Sequence, residues 1–181
     1  MALAEDHSVL PTFILVMGVS GSGKTTVSQG ISARLDGSFI EADDFHSQDN
    51  ITLMSSGQAL QDAHRWPWLK AISCAASRLA EQGGAKPVVI ACSALRRAYR
   101  DKLRDALGSI WIIHLDGTQD VIHRRISARG GHFMPAELLA SQFATLEHLE
   151  PDEDGIVISV KEPIAEIIED ACAHLCGKRP D

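Results

Sequence analysis

The stretch GVSGSGKTT at residues 18–26 decides the fold of this chain. The apolar run FILVM precedes it at residues 13–17, and an amphipathic stretch follows it at residues 25–35. Its spacing is G-x-x-x-x-G-K-[ST], in which the glycines allow backbone N–H groups to turn inward around a phosphate. The helix that follows directs its positive end at the same point. The strand–turn–helix context therefore predicts a binding site for a nucleoside triphosphate.

The predicted nucleotide contacts are nine consecutive residues: Gly18, Val19, Ser20, Gly21, Ser22, Gly23, Lys24, Thr25 and Thr26. Lys24 is expected to be catalytic, because its ammonium group would lie close to the β- and γ-phosphates. Thr25 is expected to ligate Mg²⁺ together with the ATP phosphates and water. We therefore expect ATP and Mg²⁺ as cofactors. The alternative is a glycine-rich turn that only allows tight packing of the strand against the helix.

Short apolar runs alternate with helical patterns along the chain. The strand candidates lie at residues 13–17, up to Ile40, and at residues 87–92, 110–115 and 155–160. The helical patterns lie at residues 25–35, from Trp68 to about 83, at 95–107, from 116 to about Arg129, at 135–147 and at 163–175. Such alternation is typical of a parallel sheet with helices on both faces. We predict an α/β fold: a P-loop three-layer sandwich with a five-stranded parallel sheet, in a single domain over residues 1–181 with a mobile lid at about 125–147.

The composition disfavours several classes of protein. The formal net charge of −7 disfavours a nucleic-acid partner, which would favour basic excess. No apolar stretch reaches the roughly 18 residues of a membrane span, and the first ten residues lack a basic signal-peptide start. The four cysteines show no zinc-like spacing and are expected to be reduced thiols. We therefore expect a cytoplasmic protein without a nucleic-acid or membrane partner.

An acidic stretch, EADDFHSQDN at residues 41–50, follows the second predicted strand. Asp43 is placed at the same sheet edge as the phosphate loop. We expect Asp43 to act as a general base, to orient an acceptor hydroxyl, or to hold Mg²⁺ through water; the alternative is a solvated loop. His46 either hydrogen-bonds an acceptor hydroxyl or is a structural loop residue. The remaining carboxylates are expected to be solvated or to act through a neighbour: Glu41, Asp44 and Asp49.

Further blocks resemble the gluconate kinase family of small P-loop kinases. They are D-x-x-H-x-x-x-N at residues 43–50, M-x-x-G at 54–57, D-x-x-R-x-P-W-L at 62–69, CSALRRAYRDKLR at 92–104 and GHFMPAELLASQFATLE at 131–147. The resemblance runs from about Phe13 to about Pro163. It implies transfer of the γ-phosphoryl group of ATP to the 6-hydroxyl of D-gluconate, giving 6-phospho-D-gluconate and ADP. It also implies a possible homodimer.

The chain departs from the family pattern on the acceptor side. Leu53, Ala59 and His64 stand where the family has lysine, proline and aspartate. Arg96 and Arg97 replace a lysine pair, which changes the hydrogen-bond geometry but keeps the charge. These departures bear on which acceptor is preferred, and they leave the nucleotide residues unchanged.

A gluconate pocket would need a guanidinium group and polar donors. Arg65, before a predicted rigid PWL turn, is expected to bind the carboxylate bidentately; the alternative is an ordinary arginine at a helix start. Ser93, at the end of the third strand, and Arg97 are expected to contact the substrate. Arg96, Arg100 and Arg104 are predicted to share one helix face. A solvated face is the alternative to a role in the pocket, and Arg104 is expected to be solvated.

The lid segment reads RRISARGGHFMP at residues 124–135. Arg125 and Arg129 are predicted to share a helix face and to neutralise transition-state charge, as an arginine finger in cis would. Arg129 is also expected to lie against the adenine. A hinge is expected at residues 130–131, and His132 and Gln142 are expected to reach the acceptor, although His132 is equally suited to docking the lid helix.

Two other functions remain open on the sequence alone. One is a kinase for another small polyol acid or for shikimate. The other is a nucleotide-sensing P-loop module that has no acceptor. Turnover that depends on the acceptor would distinguish all three.

Overall fold

The computed structural model describes residues 10–128 and 136–177. Its five strands are β1 (Phe13–Met17), β2 (Ser38–Glu41), β3 (Val88–Ala91), β4 (Trp111–Asp116) and β5 (Gly155–Ser159). They form one parallel sheet in the order β2-β3-β1-β4-β5. The five predicted strands and the α/β P-loop fold are confirmed, and β1, which leads into the phosphate loop, lies at the centre of the sheet.

The apolar run of β1 is continuous because helices cover the sheet on both faces. Leu15 and Met17 belong to one hydrophobic core, whereas Ile14 and Val16 belong to the other. All five residues of β1 are buried. The two cores fix the plane of the sheet and therefore the position of the loop that follows β1.

Seven helices are found in the described residues. They are α1 (Lys24–Arg34), α2 (Gln48–Ser55), α3 (Asp62–Gly83), α4 (Arg97–Leu107), α5 (Gln119–Ala128), α6 (Ala136–Thr145) and α7 (Ile164–Leu175). Side chains of α3 and α4 fill one core, while α1, α5 and α7 contribute to the other. Within the described ranges, none of these helices is both long and apolar enough to cross a bilayer.

The segment between β2 and β3 differs from the sequence prediction. A short 3₁₀ helix (Ala42–Phe45) and α2 were not predicted, and α3 begins at Asp62 rather than after Trp68. The predicted PWL turn is wrong, because Pro67 lies inside α3. Trp68 is buried and its Nε1 donates a hydrogen bond of 2.7 Å to the carbonyl oxygen of Ala42. This contact anchors the first turns of α3 to the 3₁₀ helix after β2.

Candidate active site

The phosphate loop joins β1 to α1 by a backbone that only glycine adopts readily. Gly23, directly before α1, has φ 102°, in the left-handed region. At Gly18 a Cβ atom would lie 2.7 Å from the carbonyl oxygen of Leu115, so a side chain does not fit there. The loop therefore packs closely on β4 and presents its backbone at the N-terminus of α1, as a phosphate site requires.

Lys24 lies where the ends of β1, β2 and β3 meet. Its Nζ donates a hydrogen bond of 3.1 Å to the carbonyl oxygen of Val19. Burial lowers the pKa of Lys24, whereas the nearby carboxylates of Asp43 and Glu41 oppose that shift. The ammonium group is thus held between the phosphate loop and the acidic end of β2.

Thr25 contacts a carboxylate that sequence analysis assigned only to solvent or to an indirect role. Its Oγ1 donates a hydrogen bond of 2.6 Å to Oε2 of Glu41, the last residue of β2. A hydroxyl and a carboxylate at this separation suit Mg²⁺, which prefers oxygen ligands and keeps several waters. The sheet-edge argument used for Asp43 applies equally to Glu41 and would have identified it.

Asp43 lies in the 3₁₀ helix after β2, and its side chain is 73% exposed. Its Oδ1 is 3.8 Å from Nε2 of His46. The His46 ring stacks on Trp68 with a centroid distance of 4.4 Å, and Nδ1 lies 3.4 Å from Nδ2 of Asn50. When Asn50 donates to Nδ1, the ring hydrogen is on Nε2 and faces Asp43. Burial lowers the pKa of His46 below its usual value, and the nearby Asp43 carboxylate opposes this shift without cancelling it.

Arg65 is in the first turns of α3, as the helix-start alternative expected. Its Nη1 donates to the carbonyl oxygen of Leu60 and, at 3.2 Å, to the hydroxyl of Tyr99. The guanidinium lies 5.3 Å from the centroid of the Tyr99 ring. Together with a longer ion pair to Asp62 at 4.0 Å, these contacts fix the side chain. None of the carboxylates in the described residues binds it bidentately, so its role toward a substrate stays a prediction.

Ser93 and Arg97 lie near each other in sequence but in different surroundings. The carbonyl oxygen of Ser93 accepts a hydrogen bond of 3.4 Å from the backbone N–H of Gly18, which places Ser93 beside the phosphate loop. Arg97 is paired with protein carboxylates: both Nη atoms donate to Asp152 at 2.8 Å, and Nε donates to Asp101. A substrate contact at Arg97 therefore stays a prediction and would have to displace these pairs.

The arginine side chains after β3 do not form one solvated face. Arg100 is fully buried and paired with Glu153, so a solvated position is wrong for this residue. Arg96 precedes α4 in an extended conformation and pairs with Asp62 at 3.2 Å. Arg104 pairs with Asp101 and keeps about 30% of its side chain exposed. Helical spacing alone did not reveal the buried carboxylate that Arg100 binds.

Two residues from the lid region contact the phosphate loop. Oε1 of Gln142, in α6, accepts a hydrogen bond of 2.7 Å from the backbone N–H of Ser20. Arg125 donates from Nη2 to the carbonyl oxygen of Glu162 at 3.1 Å, and its Nη1 lies 3.9 Å from where a Cβ atom of Gly23 would be. The predictions for Arg129, residues 130–131 and His132 lie outside the described residues.

A cleft of about 360 Å³ opens beside this edge of the sheet. It lies between the 3₁₀ helix, α2 and α3, and its lining includes Asn50, His64 and Trp68. Trp68 therefore contributes to the wall of the cleft and also carries the His46 stack.

Comparison with known proteins identifies the family. The family described as "AAA domain" matches residues 13–149. The gluconokinase of Gluconobacter oxydans (strain 621H) is 43% identical over 165 residues, which cover 91% of this chain and 91% of that protein. The chain belongs to the gluconokinase family. A crystal structure of a gluconokinase from Sinorhizobium meliloti 1021 matches with a TM-score of 0.82 and 44% identity, covering 92% of each chain.

A second solved structure supports the same gluconokinase architecture. An unliganded sugar kinase from Janibacter sp. HTCC2649 matches with a TM-score of 0.85 and 47% identity, over 94% of this chain and 100% of that one. Within this gluconokinase chain, the departure at His64 has a local structural role. His64 Nδ1 accepts a hydrogen bond of 3.1 Å from the backbone N–H of Gln61 and so caps the start of α3.

Proposed function

We propose that this chain is an ATP-dependent gluconokinase that phosphorylates the 6-hydroxyl of D-gluconate to give 6-phospho-D-gluconate and ADP. The observation that carries the proposal is the convergence of Lys24 and Thr25 with two carboxylates at the end of β2. A phosphate-binding loop alone would serve many functions. A loop that faces Glu41 and the exposed Asp43 has, in addition, a place for an acceptor hydroxyl.

The nucleotide side of the proposed site consists of the loop, Lys24 and Arg125. The loop amides and the Lys24 ammonium would bind the phosphates, and Arg125 would neutralise charge on the transferred group. Thr25 and Glu41 are the residues that would hold Mg²⁺. When bound, Mg²⁺ neutralises charge on the β- and γ-phosphate oxygens and orients them.

The acceptor side of the proposed site consists of Asp43, His46 and Arg65. Asp43 would accept the hydroxyl proton or orient the hydroxyl for attack, and it has no competing ion pair closer than the 3.8 Å to His46 among the described contacts. His46 is held flat against Trp68 and would offer its Nε2 to a substrate hydroxyl. Arg65 would bind the gluconate carboxylate if it exchanged its contact with Leu60.

Several parts of the proposal rest on the sequence alone. Arg129 is proposed to neutralise transition-state charge, and His132 is proposed to contact the acceptor. Substrate contacts are also proposed for three further residues: Ser93, Arg97 and Gln142. A cytoplasmic location and a homodimer are likewise proposed from composition and from the family resemblance. The location and the oligomeric state are separate from the reaction itself and would not alter it.

The decisive experiment is ADP release from Mg·ATP, with D-gluconate, with shikimate and with no acceptor in parallel reactions. The proposal predicts rapid release with gluconate only, and ³¹P NMR of the product should show a phosphate monoester on the primary carbon. Faster release with shikimate would reassign the acceptor. ATP binding with equal, slow release in every reaction would instead indicate a nucleotide-sensing module.

A further inference from the structure

A second group of polar residues lies on β4, apart from the residues assigned above. His114 is in the middle of this strand, on the sheet face that packs against α3 and α4, and it is 0% exposed. Neither of its ring nitrogens has a hydrogen-bond partner among the described residues. A buried imidazole without a partner is unusual, because leaving a buried polar group unsatisfied costs free energy.

Two potential ligand residues surround this imidazole. Asp116 follows two positions later, so its side chain leaves the strand on the same face. His148 comes from the segment after α6, and its ring centroid lies 5.4 Å from that of His114. One ligand atom from each of the three residues lies within 4.8 Å of the other two. The unpartnered nitrogens of His114 thus face a carboxylate and a second imidazole.

We propose that His114, Asp116 and His148 form a binding site for a divalent transition-metal ion, with Zn²⁺ the best match. Two imidazoles and one carboxylate are ligands that Zn²⁺ accepts, whereas Mg²⁺ favours all-oxygen sites. In a tetrahedral site with metal–ligand bonds of about 2.0–2.1 Å, ligand atoms lie roughly 3.3–3.4 Å apart. The three residues therefore need to close by up to about 1.5 Å, which rotation of the exposed His148 side chain can supply.

The surroundings of His114 also favour metal binding. The intermediate exposure of Asp116 and the exposure of His148 give the ion a route from solvent and a place for a water as fourth ligand. The site is therefore of the open kind, with three protein ligands.

A bound ion would connect the segment after α6 to the central part of the sheet. The backbone carbonyl of His148 already accepts a hydrogen bond of 3.2 Å from Arg100. The neighbouring Glu147 caps α4 by accepting from the backbone N–H of Arg97. A metal at His148 would add a further attachment to this segment, and we expect it to stabilise the fold whether or not nucleotide is present.

The test is a titration of chelator-treated protein, without nucleotide, with Zn²⁺ by calorimetry and with Co²⁺ by visible absorption. We expect one saturable site in the wild type, with the intense absorption of four- or five-coordinate Co²⁺. Asp116→Asn and His148→Gln should each weaken Zn²⁺ binding by at least about 10-fold, since even indirect supports of metal sites contribute that much. Both changes are at partly or fully exposed positions, and circular dichroism would verify the fold.

The matched control is His123→Gln, an exposed histidine on α5 outside the cluster. This variant should bind Zn²⁺ as the wild type does. Affinity that survives both Asp116→Asn and His148→Gln would place the metal elsewhere and overturn the proposal. Absence of saturable binding in the wild type would also overturn it, leaving a buried water as the partner of His114.

Discussion

Arg100 donates hydrogen bonds from Nε and Nη2 to the two carboxylate oxygens of Glu153, at 2.6 and 2.8 Å, and neither side chain is exposed. The remaining donors of Arg100 are satisfied by the carbonyl oxygens of Ala94, Glu147 and His148. This pair therefore fastens α4 to the segment that leads into β5. Such a fully hydrogen-bonded buried ion pair adds little to the free energy of unfolding compared with apolar residues of similar size. Removing one partner, however, destabilises the fold strongly, because it leaves a buried charge without a counter-charge.

We predict that Glu153→Gln lowers the free energy of unfolding by about 3–5 kcal/mol, because it leaves the Arg100 charge buried without a counter-charge. Urea unfolding followed by circular dichroism measures the loss. The double variant Arg100→Leu/Glu153→Leu should lose less than the single variant. Asp152→Asn is the control at a neighbouring exposed pair and should change the midpoint only slightly. A single variant as stable as this control would contradict the prediction.

Asp43→Asn tests the proposed group at the acceptor hydroxyl. The amide cannot accept a proton, so kcat for gluconate should fall by roughly 10²–10⁴-fold. ATP affinity, measured by calorimetry with a non-hydrolysable analogue, should remain close to that of the wild type. Asp44→Asn changes the adjacent exposed carboxylate and should retain activity. Near-normal turnover in Asp43→Asn would remove Asp43 from this role.

Glu41→Gln tests the proposed magnesium position at Thr25. Loss of the carboxylate charge should raise the Mg²⁺ concentration needed for half-maximal activity by about 10-fold, the lower end of the effect of residues that support a metal ligand. The rate at saturating Mg²⁺ should be much less affected. Asp44→Asn again provides the matched control. An unchanged Mg²⁺ dependence would show that Glu41 acts only as a partner of Thr25.

The thiols should differ sharply in reactivity. Burial raises the pKa of Cys92 to about 12, so its thiolate is scarce below pH 9, while Cys74 is exposed. We expect iodoacetamide at pH 8 to modify Cys74 in the native protein and Cys92 only after denaturation. Mass spectrometry of the digested protein would distinguish the two. Rapid native alkylation of Cys92 would mean that the end of β3 is open to solvent.

The sheet and the phosphate loop were predictable because their signals are local. Strands covered on both faces are continuous apolar runs, and the loop has a fixed spacing of glycines before Lys24. The start of α3 was missed because Pro67 reads as a break, whereas it lies inside the helix next to Trp68, whose hydrogen bond to Ala42 spans 26 residues of sequence. The position of Arg100 was missed for the same physical reason: its partner is 53 residues away.

That separation has a consequence for the nascent chain. The strands β2, β3 and β1 are complete once Ala91 is made, whereas Arg100 waits for a carboxylate that is 53 residues further on. At about 5–20 residues per second, synthesis leaves this guanidinium without its partner for roughly 3–10 s. During that interval α4 cannot dock without burying an uncompensated charge, so its apolar residues Tyr99 and Leu103 stay uncovered. The chain is therefore most exposed to aggregation, and most in need of a chaperone, after Arg100 has been made and before Glu153 has been made.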